Sequence, residues 1–292
     1  MKISAIAPWF GGKRTLAPVI VEELGPHSSY WELLCGSMAV LLVKPRSSNE
    51  TVNDLHGDLV NLARVIKHER LGPMLYRQMR RWLLSEELFV EAATRYRRRT
   101  NTPATGEPDL ERAADFFVCS WFGRNGVAGT QSYNQGFCRR FTRNGGHAAT
   151  RWESAVASIP AWRRRMRHIT ILNGDAITLC ERIEDDPAAV IYADPPYLVK
   201  GSTYVHDFTP ANHEALAAAL RRFRRLRVVV SYYDDPRLAE LYPGWTVRHC
   251  PVTKSLVNQG MRGQAGAVMA PEVLLINGPS CAVENGLFGG QK

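Results

Sequence analysis

Two hydrophobic periods run through this chain. Apolar runs rich in β-branched and aromatic side chains, at residues 29–34, 50–54, 169–172, 188–193, 228–233, 245–250 and 272–277, read as strands. Between them, residues 14–24, 38–43, 55–68 and 212–223 read as helices; Leu55, Leu59, Leu62 and Ile66 show the helical spacing in the third of these. From residue 69 to 166 the pattern changes. Arginine-rich helical stretches at 71–84 and 86–98 lead to a Pro/Gly/Thr linker at 100–108. A helix at 110–122 and a glycine-rich, polar and aromatic loop or hairpin at 123–147 follow. Strands alternating with helices on both sides of such an interruption predict an α/β fold, a mainly parallel doubly wound sheet carrying one inserted, mostly helical domain. The expected divisions are 1–68, 69–166 and 167–279, with a glycine-rich tail at 280–292 expected to be flexible.

Composition narrows the class. At 292 residues, with 45% apolar and 22% charged side chains, the chain has the balance of a globular domain. No run approaches the ~18 apolar residues of a membrane span, and the first residues lack a secretory signal pattern, so a cytoplasmic protein is expected. Six scattered cysteines form no C-x-x-C pair and predict neither a metal site nor a disulfide framework. The net charge of +9 is localised: residues 64–167 hold 20 basic and 9 acidic side chains, while the remainder holds 17 and 19. Of those 20, 19 are arginine, whose planar fork suits phosphate and guanine edges. The block reads as a nucleic-acid footprint, the alternative being a solvated helical face.

The densest chemical signal is Asp194-Pro195-Pro196-Tyr197, at the end of an apolar strand. Two prolines stop the strand in a rigid turn and push the residues before them to extended geometry. The result is a stiff loop with free carbonyls, one carboxylate and one flat ring. The carboxylate and a proline carbonyl suit the two hydrogens of an aromatic amine, and the ring suits stacking. A Pro-Pro turn in an unrelated α/β protein is the plainer alternative.

Two further elements stand upstream. Trp9-Phe10-Gly11-Gly12-Lys13 joins an aromatic face and a cation to a flexible turn, the plainer alternative being a Gly-Gly turn ahead of the helix at 14–24. Glu32-Leu33-Leu34-Cys35-Gly36-Ser37 runs from strand through a glycine turn to a helix, and Asp54 follows 18 residues past Gly36. That spacing suits a nucleoside whose ribose hydroxyls meet the acid. Asp54 equally suits capping of the next helix.

Together and in this order, these motifs, with the basic insert and the closing strand at 272–277, resemble the Dam-like (D12 class) adenine-specific DNA methyltransferases over residues 3–277. The resemblance implies a Rossmann-like methyltransferase sheet with an inserted target-recognition domain. It implies S-adenosyl-L-methionine as cofactor, S-adenosyl-L-homocysteine as product, no metal, double-stranded DNA as partner and a monomer. A cognate restriction endonuclease stays open. Cofactor contacts carry over to Trp9, Lys13, Glu32, Gly36, Asp54 and Asp194, and catalysis to Asp194, Pro195, Pro196 and Tyr197. Leu33-Leu34 and Ser37-Met38 depart from the family pattern around the glycine turn.

The implied reaction is direct methyl transfer to the N6 amine of a flipped adenine, with residues 204–209 closing over the base. Arg124 and Asn125 are candidates for base edges or for holding their own loop. Arg97, Arg98, Arg139 and Arg140 either contact phosphate or form a solvated face. The cluster at 221–227 reads as a solvated helix end. Methylation of RNA and a catalytically silent DNA-binding protein are the rival functions.

Overall fold

The computed structural model describes residues 4–99, 103–123, 128–130, 136–138, 147–198, 205–206, 208–250, 252–253 and 269–282. In chain order the strands are β1 (Ser29–Glu32), β2 (Asn49–Asn53), β3 (Thr170–Leu172), β4 (Ala189–Ala193), β5 (Arg227–Tyr233), β6 (Thr246–His249), β7 (Val252–Thr253), β8 (Met269–Ala270) and β9 (Glu272–Ile276). β7 and β8 form a two-stranded ribbon; the other seven form one sheet in the order β3-β2-β1-β4-β5-β9-β6. Pairing is parallel from β3 to β5, and β9 runs antiparallel to both its neighbours.

The chain steps outward from β1 through β2 to β3, then returns to place β4 on the other side of β1. That reversal opens a crevice beyond the carboxyl ends of β1 and β4, where open α/β sheets take their ligands. β4 is buried at every position, as a central strand covered on both faces must be. Its side chains alternate between two cores: Val190 and Tyr192 join one, Ile191 and Ala193 the other.

The helices are α1 (Ala17–Leu24), α2 (Ala39–Val43), α3 (Gly57–Lys67), α4 (Leu71–Arg81), α5 (Glu86–Arg98), α6 (Leu110–Phe122), α7 (Ala148–Met166), α8 (Ala176–Cys180), α9 (Pro210–Arg221) and α10 (Leu238–Leu241). Several start where a side chain accepts from the exposed amides of the first turn: Ser85 for α5, Asp109 for α6, and Thr209 with Asn212 in a capping box for α9. α3 starts at Gly57 and not at Leu55, because His56 is its cap.

The sequence pattern assigns no element to residues 148–166, yet α7 is the longest of these helices. Trp152, Ala155, Val156, Ile159, Trp162 and Met166 lie on one buried face at helical spacing. Pro160 and the arginines at 163–165 interrupt the signal in the sequence without breaking the packing.

Helices α3 to α7 all lie in the crossover from β2 to β3 and pack into the core of one sheet face. The Trp121 indole donates to the Ile6 carbonyl at 3.2 Å, and Phe117 and Phe122 meet Trp152. Arginines join this packing. Arg95 and Arg99 pair with buried Asp115, Arg112 with Asp58 and Arg165 with Glu50. Part of the arginine excess is therefore structural.

The same holds at 221–227. Arg222 donates to the carbonyls of Cys180 and Ile183, and Arg227 pairs with Glu23, whereas Arg224 and Arg225 are exposed. The segment is only partly a solvated helix end. Asp185 accepts from three consecutive backbone amides there and shapes the turn.

Candidate active site

The crevice is a cleft edged by the two strand ends that diverge there. From β1 it takes Glu32 and the turn through Gly36; from β4 it takes Asp194, Pro195 and Pro196. Trp9, Lys13 and Asp54 lie in its wall as well. Residues spread over the first 196 positions are thus brought together by topology.

Gly36 explains the turn. Its φ is +44°, and a Cβ there would stand 2.9 Å from the Trp9 indole nitrogen. Gly129, with φ +84°, holds the same ring from another side, where a Cβ would come within 2.5 Å. Trp9 is wedged between two glycines, with His56 edge-on at 5.4 Å.

Asp54 is not the cap of α3. Its Oδ2 accepts from the Gly36 amide at 2.8 Å and its Oδ1 from the His56 amide at 2.9 Å, while His56 Nδ1 takes the capping role toward Leu59. The acid therefore ties the glycine turn of β1 to the end of β2. Each of its oxygens keeps acceptor capacity toward the cleft. Burial raises its carboxyl, and the amides of His56 and Gly36 pull it back in part. Burial also drives the His56 imidazole down to about 4, so the ring is neutral at pH 7.

Glu32 is buried at the end of β1 and accepts from the Tyr30 hydroxyl at 2.9 Å. Burial, with Asp194 adding its charge, holds its carboxyl at about 8 against the pull of that hydrogen bond.

Asp194 is held through both oxygens. Lys13 Nζ lies 2.8 Å from Oδ2, and Ser231 donates to Oδ1 at 2.7 Å, its own hydroxyl linked to that of Tyr192. Burial works against the Lys13 charge, but Asp194 first and then Glu272 raise it above the usual lysine value. The Lys13 cation lies over the Tyr197 ring at 5.0 Å.

Tyr197 is half-buried and directly follows Pro196 at the edge of the cleft. Its hydroxyl donates to Glu272 Oε2 at 2.6 Å, and its ring meets that of Tyr233 at 4.5 Å. Of residues 204–209, His206 and Phe208 line the cleft, and the Val205 amide donates to the Gly129 carbonyl. Leu34 and Ser37, where the glycine turn departs from the family pattern, line it as well.

Arg97 and Arg98 are exposed on the last turn of α5, away from the cleft lining. Arg124, Asn125, Arg139 and Arg140 lie outside the described residues, as does most of the tail. Sequence reasoning missed Ser231, Glu272 and His56. The first two carry a signal in retrospect, each being a polar residue in an otherwise apolar buried strand.

Among curated proteins, none matches this chain. Two solved structures align with most of it. A precorrin 8w decarboxylase from Methanobacterium thermoautotrophicum is 9% identical, covering 91% of this chain and 90% of its own, with a TM-score of 0.39. A precorrin-6y C5,15-methyltransferase from Geobacter metallireducens is 10% identical, covering 90% and 87%, with a TM-score of 0.34. Likeness at that level carries no argument. Residues 9–256, by contrast, match the model of the D12 class N6 adenine-specific DNA methyltransferases. With its Rossmann-like sheet and that match over most of its length, the chain belongs to this family of S-adenosylmethionine-dependent adenine methyltransferases.

Proposed function

We propose that this protein methylates the N6 amine of adenine in duplex DNA by flipping the base into the cleft and transferring the methyl group directly. The observation that carries this reading is the convergence of Asp194, Lys13, Gly36 and Asp54 on the switch point of the sheet.

The residues fit S-adenosylmethionine. Gly36 offers backbone without a side chain, Asp54 offers acceptor capacity suited to ribose hydroxyls, and Glu32 and Asp194 are carboxyl groups suited to a cationic ligand. When bound, the cofactor supplies an electrophilic methyl group.

The adenine amine is conjugated into its ring and is a poor nucleophile. The Asp194 carboxylate and the Pro195 carbonyl accept hydrogen bonds from its two hydrogens, which favours a tetrahedral nitrogen with its lone pair aimed at the methyl group; as the new N–C bond forms and the S–CH3 bond breaks, one of those hydrogens leaves as a proton to solvent. Lys13 and Ser231 take one site on each Asp194 oxygen and hold the carboxylate in place, while each oxygen keeps further acceptor capacity. This is catalysis by positioning and electrostatics, with no covalent intermediate. Tyr197 is the stacking platform for the flipped base, and Pro196 keeps the loop rigid. Flipping costs a few kcal/mol. Phosphate contacts by residues 69–166, the proposed target-recognition domain, offset that cost through Arg97, Arg98, Arg139 and Arg140, with Arg124 and Asn125 reading base edges.

The test is transfer of labelled methyl groups to unmodified genomic DNA, to duplex RNA and to single strands, with wild type and Asp194→Ala. Label on N6 of adenine in duplex DNA, lost in the variant, is the expected result. Label on RNA alone, or turnover that survives Asp194→Ala, would refute the reading.

A further inference from the structure

We infer that Glu272 is a positioning residue for the methyl transfer: its carboxylate fixes the position and tilt of the Tyr197 ring against which the target base stacks. The inference rests on the proposed role of Tyr197 and adds to it a residue distant in sequence and on another strand.

Glu272 opens β9, the antiparallel strand beside β5, and pairs in register with Tyr233. It is 8% exposed in a strand otherwise made of apolar side chains, a placement that costs free energy unless the carboxylate is satisfied. The Tyr197 hydroxyl, 75 residues away in sequence, donates to it at 2.6 Å. That length is in the range of a charge-assisted O–H···O⁻ bond, which is stronger and more directional than a neutral one. Burial pushes the Tyr197 hydroxyl well above the usual tyrosine range, so it stays a donor.

The ring is then constrained on several sides. Tyr233, the register partner of Glu272, meets it at 4.5 Å with the planes at 59°, and Tyr232 follows at 5.9 Å. The Lys13 ammonium lies over it at 5.0 Å. Packing and the cation limit where the ring can go, and the hydroxyl bond selects one orientation among those allowed. A stacking platform needs that selection: a ring swung or tilted out of place no longer lies flat against the base and moves the amine away from Asp194. A tyrosine in the Asp-Pro-Pro-Tyr loop, where phenylalanine would stack equally well, is thereby explained by its hydroxyl. The charge of Glu272 also supports the protonated state of Lys13.

A double-mutant cycle on the full chain tests this, with Glu272→Ala, Tyr197→Phe and the pair. The readouts are kcat and KM for unmodified genomic DNA and, separately, equilibrium binding of S-adenosylmethionine. Glu272→Ala is expected to lower kcat about tenfold or more, with cofactor affinity changed about twofold or less. In the Tyr197→Phe background, which has no hydroxyl to hold, the same substitution is expected to cost less than about twofold. Glu272→Gln, which keeps an acceptor of the same shape, is expected to recover most of the loss; if the alanine variant fails to fold, Glu272→Val, which removes the acceptor but matches the apolar strand, replaces it in the cycle. Effects of Glu272→Ala and Tyr197→Phe that multiply independently, or normal kcat in both Glu272 variants, would overturn the inference. Asp194→Ala run in parallel separates the levels. Its loss of turnover beside an uncoupled cycle sinks only the role of Glu272, whereas its retained turnover sinks the reaction itself.

Discussion

Lys13 Nζ stands 2.8 Å from Asp194 Oδ2, so the cation from the amino-terminal glycine turn is locked to the acid of the double-proline loop. The two side chains are 7% and 20% exposed, and Gly11 supplies a carbonyl to the same ammonium at 2.7 Å. The pair joins two motifs 181 residues apart and orients the carboxylate on which the proposed chemistry depends.

Removing either partner leaves a buried charge alone. Lys13→Ala is expected to destabilise the fold by about 3 kcal/mol, the lower end for broken buried pairs, because Ser231 still serves Asp194. It is also expected to weaken cofactor binding. Asp194→Ala is expected to cut turnover by about a hundredfold or more. The double variant should be more stable than the sum of the single losses predicts. Denaturant unfolding and single-turnover methyl transfer check these, and an unchanged stability of Lys13→Ala would contradict them.

Gly36→Ala places a Cβ against the Trp9 indole in a left-handed backbone conformation. About 1–2 kcal/mol of backbone strain is expected, with a larger loss of cofactor affinity as Trp9 moves. In the Trp9→Ala background the clash is gone, and the stability cost of Gly36→Ala should shrink to the backbone part. Thermal melts and equilibrium cofactor binding distinguish this from a general loss of folding.

Glu32 has its carboxyl raised by burial to about 8, so at pH 7 it is largely protonated. The sign follows. Stability associated with this group is fully present below the ordinary carboxylate pKa of about 4.3 and is lost as pH rises through about 8. Glu32→Gln should flatten the decline in melting temperature between about pH 5 and 8. A cationic ligand in the cleft lowers that pKa, so binding of S-adenosylmethionine at pH 7 should release up to one proton. Calorimetry in buffers of differing ionisation enthalpy measures the release, and the same release in Glu32→Gln would exclude this carboxyl as its source.

The arginines of α5 should divide in two. Arg97→Ala and Arg98→Ala, at exposed positions, are expected to weaken DNA binding and to reduce the salt slope by about one for each phosphate no longer neutralised, with melting temperature unchanged in Arg98→Ala. Arg95→Ala breaks a bidentate pair with Asp115, whose side chain is 1% exposed, and should cost stability by about 2 kcal/mol, since Arg99 still serves that acid. Salt-dependent binding and unfolding curves measured on the same variants separate the two groups.

Local patterns carried much of the architecture because strands and helices write their periods directly into the chain. The apolar runs at 228–233 and 272–277 became β5 and β9, and the helices at 86–98 and 110–122 have the bounds their sequences suggest. Asp194-Pro195-Pro196-Tyr197 was legible for the same reason: proline geometry is local, and it dictates a rigid turn wherever it occurs. α7 was hidden because one proline and a run of arginines masked an apolar face that only packing against Phe117 and Phe122 completes.

Pairings across the sheet had no local trace. Nothing near Lys13 in sequence names Asp194 as its partner, and nothing near Tyr197 names Glu272. Those pairs exist because β1 and β4 are neighbours where the strand order reverses, and because β9 enters antiparallel beside β5. The alternatives for Asp54 were likewise decided by strand adjacency, which brings the Gly36 amide to its carboxylate. Backbone preference acts over a few residues and can be read along the chain. Charge pairing and burial act through space, and their partners are chosen only once the sheet has closed.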